Sequence, residues 1–211
     1  MTAPLFSLVG PMPTAPRPPL LVLLHGFGSH EEDLFTLADA FDPRFLLVSV
    51  RAPLTLGAGS YAWFPTQFTP AGPVADTVQA ESSRRLLLEF LAWAEQNWET
   101  APGATLVGFS QGAIMAASLA LTEPQRVRAA VLMSGRILPE VLPAAAPDRL
   151  ALTEYLIVHG TQDQVLPIAH GRQSREVLRS LGIEPAYQEF PMGHTISDES
   201  LALVADWTRD R

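Results

Sequence analysis

The sequence predicts a three-layer α/β protein, a mostly parallel central sheet flanked by helices, in a single domain over residues 1–211. Three observations predict it. Short runs of Leu, Val and Ile recur along the chain and are apolar at consecutive positions, the pattern of strands buried on both faces. Stretches with helical spacing separate them, and strand alternates with helix to the end of the chain. Finally, 211 residues with 47% hydrophobic and 17% charged side chains suffice for one well-buried core and are too few for two full domains.

The elements follow in order. Strands are expected at Leu20 to Leu24, Phe45 to Val50, Ala104 to Phe109, Ala129 to Met133 and Tyr155 to His159, with a more polar edge strand at Pro185 to Phe190. Helices are expected at Glu31 to Phe41, Asp76 to Trp98, Gln111 to Thr122, Ile168 to Leu181 and Ser197 to Arg209. In the longest, Leu87, Phe90, Leu91, Ala94 and Trp98 share one face, as a helix lying on a sheet requires. The segment from Arg51 to Val74 breaks the alternation. It carries Pro53, Gly57, Gly59, Pro65, Pro70, Gly72 and Pro73 around Tyr61, Trp63, Phe64 and Phe68, and reads as a long loop. Its aromatics either wall a site with an apolar acyl or aryl pocket, or pin the loop to the core.

Charge and composition exclude several functions. Fourteen basic against 22 acidic residues give a net charge of −8 with no basic cluster beyond Arg84 and Arg85, which argues against nucleic acid and anionic membranes as partners. Without cysteine there is no disulfide, thiolate nucleophile or Cys-based metal site, a usage that fits the cytoplasm. No secretory leader and no membrane-spanning run is visible, so a soluble, unprocessed protein without stable membrane insertion is expected. His30-Glu31-Glu32-Asp33-Leu34 is not H-E-x-x-H, and no other histidine pair has ligand spacing, so no metal site is expected.

The chemistry-bearing segment is Gly108-Phe109-Ser110-Gln111-Gly112, a G-x-S-x-G between a strand and a helix. Ser110 in that place is either a helix N-cap or a nucleophile on a strained turn, whose flanking glycines let strand and helix approach. The strand-to-helix context favours the nucleophile, and a nucleophilic serine needs a base and an acid. Among the five histidines, His194 follows the last strand and precedes the last helix, the place of the base. Of the carboxylates between Ser110 and His194 (Glu140, Asp148, Glu154, Asp163, Glu176, Glu184 and Glu189), Asp163 alone leaves a strand end in a tight loop directed at the same edge. The alternative is that Asp163 merely caps that turn. The backbone N–H groups of Gln111 and Phe27 are the expected oxyanion donors, Phe27 lying in His25-Gly26-Phe27-Gly28 after an early strand.

Taken together, Leu24-His25-Gly26-Phe27-Gly28, Gly108 to Ala113, His159-Gly160-Thr161-Gln162-Asp163 with Val165 and Pro167, and Gly193-His194 resemble the phospholipase/carboxylesterase family. This group of small α/β-hydrolases includes acyl-protein thioesterases, and the resemblance spans about Leu20 to Trp207. It implies an α/β-hydrolase fold without a large cap domain and a homodimer. The activity implied is cofactor-free cleavage of small-molecule or lipid-like esters with small to medium acyl groups. A lysophospholipase, an acyl-protein thioesterase and a non-catalytic binding protein of the same fold are the alternatives. The resemblance places Trp63 on the substrate wall, and Phe64 belongs to the same expected pocket. The chain departs from the thioesterase-like pattern at Ser29, where an acidic residue is common, and at Ala113, where a glycine is common.

Overall fold

The computed structural model describes residues 2–69 and 72–211, without the Phe68 side chain. Phe68 as an aromatic of the 51–74 segment, and Pro70 as one of its breakers, therefore lie outside the description. In chain order the elements are β1 (Ser7–Val9), β2 (Leu20–Leu24), α1 (Glu31–Phe35), β3 (Leu46–Val50), β4 (Leu54–Gly57), β5 (Ser60–Ala62), β6 (Thr66–Thr69), β7 (Gly72–Ala75) and α2 (Thr77–Asn97). There follow β8 (Ala104–Phe109), α3 (Gln111–Thr122), β9 (Val127–Met133), β10 (Glu154–Gly160), α4 (Ala169–Ser180), β11 (Ala186–Phe190) and α5 (Asp198–Arg209).

Seven strands form one sheet in the order β1-β3-β2-β8-β9-β10-β11, parallel throughout except for β1, which runs antiparallel along β3. Register aligns the strand ends: Leu24 lies opposite Gly108, Phe109 opposite Met133, and Gly160 opposite Phe190. The loops that leave these ends therefore converge on one edge of the sheet, where open α/β sheets hold their ligands.

Both faces of the sheet are buried, for the reason the consecutive apolar runs imply. Val22, Leu24 and Leu106 point into a core shared with α2, α3 and Leu178 of α4. Leu21, Leu23 and Val107 point the other way, towards α1 and towards Val204 and Ala205 of α5. Helix α3 is buried from Gln111 to Leu121, and each Leu, Ile or Met buried there contributes about 1.5–3 kcal/mol relative to exposure. Asp76 caps α2 by accepting from the Gln79 N–H, and Ser197 and Ser200 form a capping box on α5.

Four elements differ from the sequence expectation. The helix expected over Glu31 to Phe41 ends at Phe35, where Thr36 Oγ1 donates to the Asp33 carbonyl, and a 3-10 turn follows at Ala38–Ala40. The short strand β1 was not expected; three residues next to a proline-rich stretch carry too little periodicity. Two 3-10 turns, Pro139–Ala144 and Pro147–Leu152, in a Pro-rich stretch, were likewise not expected. Finally, the long loop at 51–74 is two β-hairpins, β4–β5 and β6–β7, the first turned through Gly59 at φ 67°. Among the described residues no helix is long and apolar enough to cross a membrane.

Candidate active site

Ser110 sits between β8 and α3 with φ 55° and ψ −115°, a conformation that costs a non-glycine residue about 1–3 kcal/mol. Steric necessity imposes it. A Cβ on Gly108 would lie 2.4 Å from the Gly112 carbonyl, and one on Gly112 would lie 1.9 Å from the Leu24 carbonyl oxygen. Strand, helix and the neighbouring β2 can come this close only where both flanking positions lack a side chain. Ser110 occupies the N-cap position of α3, yet its hydroxyl makes no cap bond. Its Oγ lies 2.9 Å from His194 Nε2 instead.

His194 lies after β11, and its Nδ1 is 2.7 Å from Asp163 Oδ2. Asp163 leaves β10 and is buried. Its other oxygen, Oδ1, accepts from the Val165 and Leu166 N–H groups at 2.9 and 2.8 Å, so the same carboxylate caps its own turn and meets the imidazole. Because a carboxylate only accepts, Nδ1 carries the proton and Nε2 is left to accept from the Ser110 hydroxyl. The two loops are also joined through their backbones. Thr161 N–H donates to Phe190 O at 2.8 Å and Gln162 N–H to Met192 O at 3.0 Å. A Cβ on Gly160 would meet Met192 O at 2.3 Å.

A second histidine flanks the acid. His159 is wholly buried, donates from Nε2 to Leu166 O at 2.7 Å, and stands 3.6 Å from Asp163 Oδ2. Burial pushes its pKa below the usual histidine value, so it packs as a neutral ring behind the carboxylate.

His25 organises the opposite side of Ser110. Its Nε2 accepts from the Ala52 N–H at 3.0 Å, which leaves Nδ1 to donate to Gly26 O at 2.8 Å. Burial holds this ring neutral as well. Gly26 lies against Ser110, where a Cβ would be 3.3 Å from the serine Cβ. The β4–β5 hairpin buttresses the loop, with Gly28 N–H donating to Tyr61 O and Tyr61 N–H to Ser29 O. Phe27 therefore stands beside the serine. With Phe64, Gln111, Ile114, Arg136 and His194 it lines a cavity of about 150 Å³ that opens onto Ser110.

The two expected wall residues separate here. Phe64 lines the cavity, whereas Trp63 does not: it is 0% exposed and its indole N–H donates to His25 O at 3.0 Å. Trp63 is thus a strut beneath the Phe27 loop, a correction that follows from the indole needing a buried acceptor. Sequence reasoning also undervalued the Gln111 side chain. Its Oε1 accepts from Trp63 N–H at 2.8 Å, and its Nε2 donates to Phe64 O at 2.7 Å and Thr66 Oγ1 at 3.0 Å. Such a long-range staple leaves no signal in residue spacing. Among the described residues no group of three or more His, Asp or Glu side chains is placed to hold a metal ion.

A parallel sheet that brings serine, acid and histidine together in that chain order at its C-terminal edge, the serine on a glycine-flanked turn, defines an α/β-hydrolase fold. The chain belongs to the phospholipase/carboxylesterase family of hydrolases, whose profile matches residues 11–210. It is 30% identical over 207 residues to the esterase YpfH of Escherichia coli K12, covering 93% of this chain and 84% of that one. The crystal structure of esterase PE8 superposes with a TM-score of 0.81 at 30% identity, covering 98% of both chains. Acyl-protein thioesterase 2 of Zea mays shares the fold, with a TM-score of 0.76 at 21% identity over 97% of this chain and 98% of that one.

Proposed function

We propose that this chain hydrolyses carboxylic esters with small to medium acyl or aryl groups through an acyl-enzyme on Ser110. The observation that carries this reading is the Ser110 hydroxyl, which forgoes the helix cap available to it and lies 2.9 Å from a histidine that a buried carboxylate orients. Ser110 Oγ attacks the ester carbonyl as His194 Nε2 takes its proton, and Asp163 stabilises the imidazolium. The N–H groups of Phe27 and Gln111 receive the oxyanion, each donor contributing on the order of 3 kcal/mol. His194 then protonates the departing alcohol. Water, deprotonated by the same ring, releases the acid and restores Ser110.

A cavity of about 150 Å³ favours short acyl or aryl groups over a long lipid chain, since ordinary ligand pockets span roughly 300–1,000 Å³. That orders carboxylesterase before lysophospholipase and acyl-protein thioesterase. The reading includes a single domain acting in the cytoplasm as a homodimer, with the absence of cysteine supporting the reducing compartment.

The test is turnover of p-nitrophenyl esters of graded chain length beside a palmitoyl thioester, with labelling by a fluorophosphonate. Ser110→Ala is expected to lose at least about 10⁴-fold in kcat and all labelling while keeping the wild-type circular dichroism spectrum. Wild-type turnover by that variant would refute the acyl-enzyme. A preference for the palmitoyl thioester would reverse the ordering of substrates, and a wild-type protein that does not label would favour a non-catalytic binding protein.

A further inference from the structure

The chain contains no lysine, so its fourteen basic residues are all arginines. Among the described residues, most of them lie within 4.0 Å of a carboxylate. Those without an Asp or Glu partner are Arg17, Arg128 and Arg149, which are exposed to solvent, Arg44, which is exposed and donates to Arg211 O at 2.8 Å, and Arg136, which is not exposed. Arg136 follows β9 at the catalytic edge and lines the cavity together with Ser110 and His194. Among the described residues, no Asp or Glu lines that cavity.

The guanidinium is poorly satisfied as well as unpaired. Among the described residues, one of its five N–H donors reaches a protein acceptor, from Nη2 to Pro73 O at 3.0 Å, and Nε is buried without one. Glu140 acts on it only through space, beyond ion-pair distance, and burial lowers its pKa without bringing it near neutrality. A charge desolvated in this way is costly unless something compensates it. His170, close enough to feel that charge, is kept from becoming a second cation by burial and by Arg136. A structural tether to Pro73 needs one neutral donor, for which a permanent cation on an apolar cavity wall is a poor choice.

We propose that Arg136 is a specificity residue: the esters this site takes carry an anionic group, carboxylate or phosphate, on the acyl or the alcohol part, and Arg136 pairs with it. Guanidinium suits either anion, because its planar donors match both. The proposal rests on the esterase reading and adds the class of substrate.

The experiment compares kcat/KM within two matched pairs of esters at low ionic strength. One pair is the mono-p-nitrophenyl ester of glutaric acid against p-nitrophenyl pentanoate; the other is 1-butanoylglycerol 3-phosphate against 1-butanoylglycerol. Wild type is expected to favour the anionic member of at least one pair tenfold or more, and the pair that responds identifies the source of the anion. Arg136→Gln should lower that ratio at least tenfold, whatever happens to the absolute rates. Arg136→Lys, which keeps the charge without the planar fork, should lie between and decides the matter if the glutamine variant does not fold. A role confined to tethering Pro73 would change both members of a pair alike. Ratios near or below one in wild type, or ratios that the variants leave unchanged, overturn the proposal. Calorimetric titration with glutarate and with glycerol 3-phosphate separates this failure from that of the esterase reading. If no ester is cleaved and the fluorophosphonate does not label, the esterase reading falls. Binding of one anion, weakened at least tenfold in Arg136→Gln, then still supports the anion site, and binding of neither overturns it.

Discussion

Two regions meet at the cavity and are held in opposite ways. The sheet edge around Ser110 is determined by backbone packed on backbone: Gly108 and Gly112 leave no room for a methyl group, and the acid and base loops bond directly to each other. Beyond the backbone bonds of Tyr61 to Gly28 and Ser29, the double hairpin from Leu54 to Ala75 is held by a few side chains reaching across. Gln111 ties down Trp63, Phe64 and Thr66, Ser83 Oγ donates to Trp63 O, and Arg136 reaches Pro73 O. The Ser110, His194 and Asp163 contacts are thus placed by parts of the chain that cannot adjust without clashes, and the cavity wall by contacts that single substitutions can alter. A fold organised this way can change what it binds while leaving how it reacts untouched.

The sharpest way to break this contrast is Gly112→Ala. With the Leu24 carbonyl oxygen 1.9 Å from the new Cβ, the variant is expected to lose more than about 4 kcal/mol, measured as denaturant unfolding or as failure to yield folded protein. Wild-type stability in that variant would mean that the edge adjusts after all.

Gln111→Ala probes the wall. It strands the Trp63 N–H and the Phe64 carbonyl without their side-chain partners and should cost about 2–4 kcal/mol. In ester turnover it should raise KM more than it lowers kcat, since the proposed role of Gln111 in the reaction belongs to its backbone N–H. A fall in kcat at constant KM would place the side chain in the chemistry instead.

Acid should act on the edge and spare the hairpins, which contain no histidine. His25 and His159 are buried with pKa values pushed down by desolvation, so the unfolded chain takes up protons near pH 6.5 that the folded one refuses. Their stabilisation is complete well above pH 6.5 and declines as pH falls through and below it. Carboxylates such as Glu81 and Glu189, held down to about 2 by neighbouring arginines, add their own losses only below about pH 4.5. Urea unfolding at pH 7.5, 6.5 and 5.5 measures the slope; flat stability over that range would contradict buried neutral rings.

The same contrast explains what was legible in the sequence. Strands buried on both faces appear as unbroken apolar runs, and the edge glycines stand at positions no other residue can occupy, so β2, β3, β8, β9 and β10 and the loops after them could be placed by pattern. The hairpins carry proline and glycine within short strands, which imitates loop, and β1 is too short to show alternation. Trp63 could not be distinguished from Phe64 in advance, because the difference lies in the His25 carbonyl, a partner 38 residues away. The reach of the Gln111 side chain was hidden for the same reason.

The backbone bonds between the loops after β10 and β11 have a consequence for how this site would fail. Thr161 and Gln162 grip Phe190 and Met192, so the carboxylate and the imidazole ride on one rigid jaw, and Ser110 stands on the other. Damage or drift at this edge would open the gap between jaws before it parted acid from base. A worn molecule of this kind would retain a well-formed Asp163–His194 pair facing a serine it can no longer reach.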